Sequence, residues 1–385
     1  MDNILYTATI EILSPLHIGT GTALLQDVDW IQQGNSLYVA DQDRLLETVL
    51  ERVQANRQGD DADAIRAITG MNLSDLRQAG WLTRDDFGAG SPLFRYSLRG
   101  KPAMNQVAEQ IKDVYGRPYL PGSSLKGALR TVLAVGGASV QKADLSRPGR
   151  SRSWAAQPIE REIFGPDPHH DLLRALQVSD SQSIAEGAPL ELARVNVFPT
   201  AQQTSYGRSQ GLDLDVEALR KGMRLTATVK LDGSLFGDDT PWGRYVESEL
   251  SFGKRQNWLL SLPQWARTIA GRRLATEADF YGGKRDGDAA RGFCLRLAAV
   301  WNGLQENEFL LQVGWGTGWQ SKTFGTLLQQ DPRAFEGLVR KYNLSSQDRK
   351  RKAGQPFPKS RKLVRRGEKA VEPLGWVKVT LERQS

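Results

Sequence analysis

Apolar and polar residues alternate along several short stretches of the chain, and each such stretch predicts a strand with one buried face. In Ile4–Leu13 the positions Ile4, Tyr6, Ala8, Ile10 and Ile12 share one parity. Met223–Leu231 alternates in the same way, and Leu176–Val178, Leu192–Phe198, Phe309–Val313 and Leu374–Leu381 are runs of strand type. Val28–Ile31 and Leu37–Ala40 flank Gly34-Asn35, a hairpin signal. A different period follows Asp41, a residue suited to capping: Leu45, Leu46, Val49, Leu50 and Val53 keep helical spacing. Leu125–Ala134 predicts another helix, a short one ending near Gly136-Gly137. Residues 59–113 are polar and interrupted and predict a partly helical insertion, while Asp279–Phe293 predicts a Gly-rich loop. Strands and helices thus alternate irregularly, with long insertions. That order favours an α+β fold with antiparallel sheets over a doubly wound parallel one.

Composition narrows the class. The 385 residues suffice for two or three domains, and ten Trp argue against wholesale disorder. The lone Cys294 excludes an internal disulfide framework and a cysteine-based zinc site. No run approaches 18 apolar residues, and Met1-Asp2-Asn3 offers no basic region before an apolar stretch. Neither a membrane span nor a secretory signal is expected, which points to a cytoplasmic protein.

Charge changes the picture more. The formal net charge is +7, but it is concentrated. Residues 341–369 hold 11 basic side chains against Asp348 and Glu368, a surplus of +9, so the remainder stands at −2. Arg361, Lys362, Arg365 and Arg366 lie in this tract. A basic tract on a nearly neutral body suits a polyanion such as nucleic acid, though a solvated flexible loop would read the same.

Two motifs add chemistry. In Pro121-Gly122-Ser123-Ser124-Leu125-Lys126-Gly127-Ala128-Leu129-Arg130, a Gly, two hydroxyls and a helix start precede Lys126 and Arg130, spaced i and i+4. These could hold a phosphodiester backbone without reading bases; an ordinary Ser-capped helix with two solvated cations is the alternative. Gly316 to Thr323 nearly matches a phosphate-binding P-loop, but Ser321 stands where the second Gly belongs, and no apolar strand ending in Asp follows. As a loop of Gly316 and Gly318 bearing Trp315, Trp319, Lys322 and Thr323, it better suits single-stranded nucleic acid through stacking and phosphate contact. Its tryptophans could equally anchor a core. His17 sits in a Pro/Gly-bounded loop with Gly19 and has no evident catalytic partner, so hydrogen bonding or RNA positioning is favoured over general-base work. His169-His170 with Asp167 and Asp171 does not amount to a metal site. No catalytic residue, metal or cofactor is assigned.

Three of these segments converge on a family. Leu13–Gly21, Tyr119–Arg130 and the late Gly-rich loop together resemble the repeat-associated mysterious protein (RAMP) superfamily of CRISPR systems, and Leu176–Ser181 resembles another recurring element of it. Gly314–Trp319, Ser321–Thr323, Phe357–Arg361 and Pro373–Val377 are similar to the fifth subunit family of type III-A (Csm) effector complexes. The resemblance implies ferredoxin-like (RRM-like) modules: an N-terminal one over 1–185 with a helical insertion at about 41–113, and a C-terminal one over 186–385 carrying loop 314–325 and tract 341–369. It implies a non-catalytic RNA-binding subunit that holds the 3′ part of the guide RNA and supports its maturation in antiviral defence. The implied partners are guide RNA (crRNA), the other Csm-complex RAMP subunits, and target RNA reached through the complex. The expected RNA contacts are His17, Gly19, Gly122, Ser123, Ser124, Lys126, Arg130, Gly316, Gly318, Trp319, Lys322, Thr323, Arg361, Lys362, Arg365 and Arg366. A metal-independent endoribonuclease with His17 as base, or another RAMP subunit of a type III complex, are the alternatives.

Overall fold

The computed structural model describes residues 2–56, 61–88, 90–145, 149–185, 187–199, 213–284, 286–345, 354–367 and 369–384. Its strands are β1 (Ile4–Ile12), β2 (Gly19–Leu25), β3 (Trp30–Gln33), β4 (Ser36–Ala40), β5 (Phe94–Arg99), β6 (Gln106–Gln110), β7 (Leu176–Val178), β8 (Leu190–Pro199), β9 (Leu214–Leu219), β10 (Arg224–Leu231), β11 (Glu308–Gln312), β12 (Ser360–Arg366), β13 (Lys369–Pro373) and β14 (Trp376–Arg383). The helices are α1 (Gln42–Asn56), α2 (Asp61–Ile68), α3 (Leu73–Gln78), α4 (Gly122–Gln141), α5 (Gln157–Phe164), α6 (Pro241–Leu250), α7 (Gln256–Leu260), α8 (Leu262–Tyr281), α9 (Asp288–Asn302), α10 (Gly325–Leu328) and α11 (Pro332–Lys341).

The alternation in β1 does what its parity predicts. Ala8, Ile10 and Ile12 are fully buried, and β1 takes the centre of a five-stranded antiparallel sheet in the order β11-β14-β1-β10-β7. Strands β14, β1, β10 and β7, with α4 between β1 and β7 in the chain and α8 and α9 after β10, form the ferredoxin-like arrangement. The apolar side of α4 (Leu125, Leu129, Val132, Leu133) joins β1 in the main core. Each such fully buried aliphatic side chain is worth about 1.5–3 kcal/mol relative to exposure.

A second, six-stranded sheet runs β13-β12-β8-β9-β6-β2. A three-stranded sheet, β3-β4-β5, packs against α1 and α3 in a separate small core containing Leu45, Val49, Val53, Leu73 and Leu76. Both large sheets draw strands from either side of residue 185, so the expected module boundary does not coincide with a sheet boundary.

Three local expectations are corrected. Helix α4 does not end near Gly136-Gly137 but continues to Gln141. A Cβ on Gly136 would lie 2.0 Å from the Trp265 ring, and one on Gly137 2.9 Å from Trp258, so the glycine pair admits α8 and α7 rather than stopping the helix. The stretch 279–293 is not one loop: α8 runs to Tyr281 and α9 starts at Asp288, with Gly282, Gly283 and Gly287 in the short link and Gly292 inside α9. The polar segment 59–113 contributes α2, α3, β5 and β6, the last two as members of sheets.

Candidate nucleic-acid interface

The loop after β1 is held from three directions. Ser14 Oγ accepts from the Trp376 amide at 2.9 Å, Leu16 bridges to Leu219, and the His17 carbonyl accepts from the Trp315 amide at 2.8 Å. The last bond joins this loop to the Gly-rich loop 314–325, where Gly314, Gly316 and Gly318 adopt φ of 87°, 81° and 86°. That left-handed path is open to glycine at little cost. The N-terminal turns of α4 complete a cleft of about 1140 Å³, lined by His17, Gly19, Ser123, Ser124, Arg130, Lys322 and Thr323 among others. Seven of the sixteen residues singled out in the sequence therefore meet in one place.

His17 is buried, and its Nδ1–H donates to the Glu217 carbonyl at 2.7 Å. This bond leaves Nε2 as the acceptor on the cleft side, next to Gly19. Burial lowers the His17 pKa, the bond to Glu217 opposes this, and Lys112 adds to it. The imidazole is therefore neutral at pH 7. Behind it the buried Glu217 carboxylate accepts from Tyr96 Oη at 2.6 Å, the Gln110 amide at 3.0 Å and Lys112 Nζ at 2.5 Å. That network fixes the strand carrying the Glu217 carbonyl.

Helix α4 starts where it does because Gly122 fits against the end of β7. A Cβ there would lie 2.4 Å from the Val178 carbonyl oxygen, and the Gly122 amide donates to Asp180 at 2.7 Å. Gly122 thus serves the clasp between α4 and Ser179-Asp180-Ser181, and its N–H is taken. Ser123 and Ser124 have side-chain hydroxyls without a partner among the described residues, and both line the cleft. Arg130 lines it too, giving Nη2 to Glu160 at 3.3 Å and stacking over Phe164 at 4.2 Å. Lys126 does not line the cleft: it is half-buried, burial lowers its pKa, and Asp171 opposes that shift.

The Gly-rich loop divides its aromatic residues. Trp319 packs with Phe335 and Phe357, at ring distances of 6.0 and 4.9 Å, in a small core beside α11. Thr323 Oγ1 donates to the Trp319 carbonyl and accepts from the Gly325 amide, holding the start of α10. It is Trp315 that stands in the cleft wall, edge-on to His17 at 5.7 Å and under Lys362 Nζ at 3.8 Å. Burial lowers the Lys362 pKa, and the nearby charge of Lys322 lowers it further. Neither lysine has an ion-pair partner among the described residues.

The basic tract is spent differently from its count. Arg349, Lys350, Arg351 and Lys352 lie outside the described residues. Arg361, Arg365 and Arg366 lie on β12, and each meets carboxylates. Arg361 Nε donates to both Glu277 oxygens, at 2.8 and 2.9 Å, and its guanidinium lies 3.9 Å from the Phe280 ring centre. Arg365 pairs with Asp213 at 3.1 Å, and Arg366 with Glu191 at 2.8 Å and Glu372 at 3.5 Å. This part of the tract is a paired strand and not a solvated loop. Asp167 caps the turn at Pro168–His170, accepting from both histidine amides and from His170 Nδ1 at 2.7 Å.

A model of the RAMP superfamily matches residues 9–321 of this chain. The chain belongs to the RAMP superfamily. Relatives of this RAMP protein include the CRISPR system protein Csm5 of Streptococcus thermophilus, 30% identical over 139 residues (33% of this chain, 37% of that one). Csm5 of Mycobacterium tuberculosis is 26% identical over 241 residues (59% and 55%), and Csm5 of Methanocaldococcus jannaschii 20% identical over 396 residues (96% and 88%). The matches to the first two span 37% and 55% of those relatives' lengths. Among solved structures, a chain of a Csm–crRNA–target RNA ternary complex of a type III-A system aligns with TM-score 0.67 at 23% identity, covering 98% of this chain and all of that one. Csm5 of T. onnurineus aligns with TM-score 0.61 at 21% identity, over 96% and 99%.

Sequence reasoning about this RAMP protein missed the carboxylates that organise the site. The carboxylates of Asp180, Glu160 and Glu277 act on Gly122, Arg130 and Arg361 from 58, 30 and 84 residues away, and the Glu217 backbone carbonyl acts on His17 from 200. No local pattern carries such pairings. Trp315 had a signal, since it shares the Gly-rich loop with Lys322 and is the aromatic residue nearest its start.

Proposed function

We propose that this RAMP protein is a non-catalytic RNA-binding subunit of a type III-A CRISPR effector complex, holding the 3′ part of the guide RNA and supporting its maturation. The observation that carries the reading is the cleft itself, in which the His17 loop, the start of α4 and the Gly-rich loop meet. It offers hydroxyl donors from Ser123 and Ser124, a neutral acceptor at His17 Nε2, and Lys322 without a carboxylate partner among the described residues. A 2′-hydroxyl can donate to such an acceptor while the hydroxyls and ammonium meet phosphate oxygens, a sequence-tolerant mode. The Csm5 relatives and the fold shared with a chain of a Csm–crRNA–target RNA complex support assembly with other Csm subunits, and target RNA approached through the complex.

One observation favours the endoribonuclease alternative: neutral His17 presents the free nitrogen that a general base needs. The two readings separate in one experiment. Guide RNA carrying 4-thiouridine at successive 3′ positions is assembled into the complex, irradiated and mapped. Crosslinks to peptides covering 14–21, 122–131 and 314–325 with intact RNA are expected. Crosslinks confined to other surfaces refute the interface, and repeat-specific cleavage in EDTA that vanishes in His17→Ala favours the enzyme.

A further inference from the structure

A second cavity of about 510 Å³ shares Trp315, Lys322 and Thr323 with the cleft but is not lined by His17. Its charged lining residues are Arg273, Lys322, Arg361 and Lys362 against the single carboxylate of Glu277, a surplus of three positive charges. Glu277 is already engaged by Arg361 through both oxygens. Arg273 is left with little. It is 7% exposed, its Nη2 donates to Gln312, its Nε has no acceptor, and its guanidinium lies 5.2 Å from the Trp376 ring centre. Burial lowers even its pKa, to about 10.

Glu277 is the carboxylate that acts on Arg273, and Arg361 already takes both of its oxygens; a buried cation with an unsatisfied donor and only a shared counter-charge is expensive to keep unless something compensates it. The described residues supply no second carboxylate to this cavity. We infer that the cavity beneath the Gly-rich loop is a binding site for a phosphate-class oxyanion, held by Arg273 with support from Arg361, Lys322 and Lys362. Guanidinium forks match such oxyanions, and the low-dielectric walls of Trp315 and Trp376 strengthen the attraction. The inference does not need the RNA-cleft reading, because Arg273, Glu277 and Arg361 line this cavity and not the cleft. The same phosphate chemistry could come from an RNA terminus or from free phosphate.

The test titrates inorganic phosphate into the full chain at constant ionic strength, following ³¹P line broadening and tryptophan fluorescence. Saturable binding is expected; its absence overturns the site. Arg273→Met keeps most of the side-chain volume and should weaken phosphate at least about tenfold, while affinity for a 3′-hydroxyl single-stranded RNA stays unchanged. Unchanged phosphate affinity in folded Arg273→Met also overturns it. Glu277→Gln keeps one acceptor oxygen for Arg361 but removes the one negative charge, so phosphate should bind about threefold tighter or better. That variant decides the matter if Arg273→Met does not fold, and weaker binding in it counts against the site. Displacement of phosphate by a 3′-phosphorylated trinucleotide, but not by its 3′-hydroxyl form, assigns the site to an RNA terminus. Displacement by neither assigns it to free phosphate.

Discussion

Neutralising Lys322 and Lys362 should weaken RNA association, whereas neutralising Arg365 and Arg366 should not, although all four are cations near or within the basic tract. The two lysines flank Trp315 and have no ion-pair partners among the described residues; the two arginines are already matched to Asp213, Glu191 and Glu372. Each lysine that meets a phosphate of a single strand contributes about 0.7 to the slope of log affinity against log salt, so Lys322→Gln with Lys362→Gln should reduce the slope by about 1.4. Lys322 is exposed, and screening keeps its contact near or below about 1 kcal/mol. Lys362 is half-buried over the indole, which places its contact nearer about 1.5 kcal/mol. Together these predict a loss of roughly 2 kcal/mol, or about thirtyfold in Kd at low salt. Fluorescence anisotropy with a labelled single-stranded RNA, from about 50 to 300 mM NaCl, reads both quantities. Arg365→Gln with Arg366→Gln should leave the slope within experimental scatter of the parent. Equal slope changes in the two double variants, or none in the lysine pair, would refute the assignment.

Arg361→Ala should destabilise the fold by about 3 kcal/mol in urea unfolding, because it strands the buried Glu277 carboxylate and removes the stack on Phe280; a change under about 1 kcal/mol would mean that the pair contributes little. Gly136→Ala should also destabilise, by about 1–3 kcal/mol, since its Cβ meets the Trp265 ring; stabilisation of up to about 1 kcal/mol, the propensity expectation, would contradict that packing. Stability should fall as pH drops from about 7 through 6.5 toward the lowered His17 pKa, because the unfolded chain takes up a proton there that the buried imidazole refuses. Denaturant midpoints measured across that range should fall less in His17→Gln than in the parent, and an equal fall in both would exclude His17 as a source.

The elements that the sequence made legible are those whose neighbours are close along the chain. Strand parity in β1 and β10, the hairpin at Gly34-Asn35 and the spacing of α1 were readable because period and turn chemistry are local. The end of α4 was not. Gly136-Gly137 looks like a stop by propensity, and only the approach of Trp258 and Trp265, more than a hundred residues later, shows why small residues belong there. The same limit applied to the candidate interface. The Ser14–Gly21 loop, the start of α4 and the Gly-rich loop were each visible as motifs, and the structure brings them together. Which of their groups are free to face the cleft is decided by partners elsewhere in the chain: Asp180 takes the Gly122 amide, and Phe335 and Phe357 take the Trp319 ring.

A charge count carries no information on how each cation is partnered, and β12 shows why. Along this strand Leu363 packs into the core under α8 and α9, while Val364 packs into the core that contains Leu374 and touches Trp315. Arg361 shares the parity of Leu363 and therefore reaches Glu277 and Phe280 on α8. Lys362 shares the parity of Val364 and therefore reaches Trp315. The pairing of Lys362 with Val197 and Leu363 with Asn196 on β8 holds this assignment in place. A register slip of one residue would send Lys362 toward Glu277 and Arg361 toward the indole. It would also push Leu363 out of its core, so apolar burial locks the polarity of the two faces. The guanidinium fork suits the two-oxygen clasp on Glu277, whereas the single ammonium of Lys362 is left to the loop that borders both cavities.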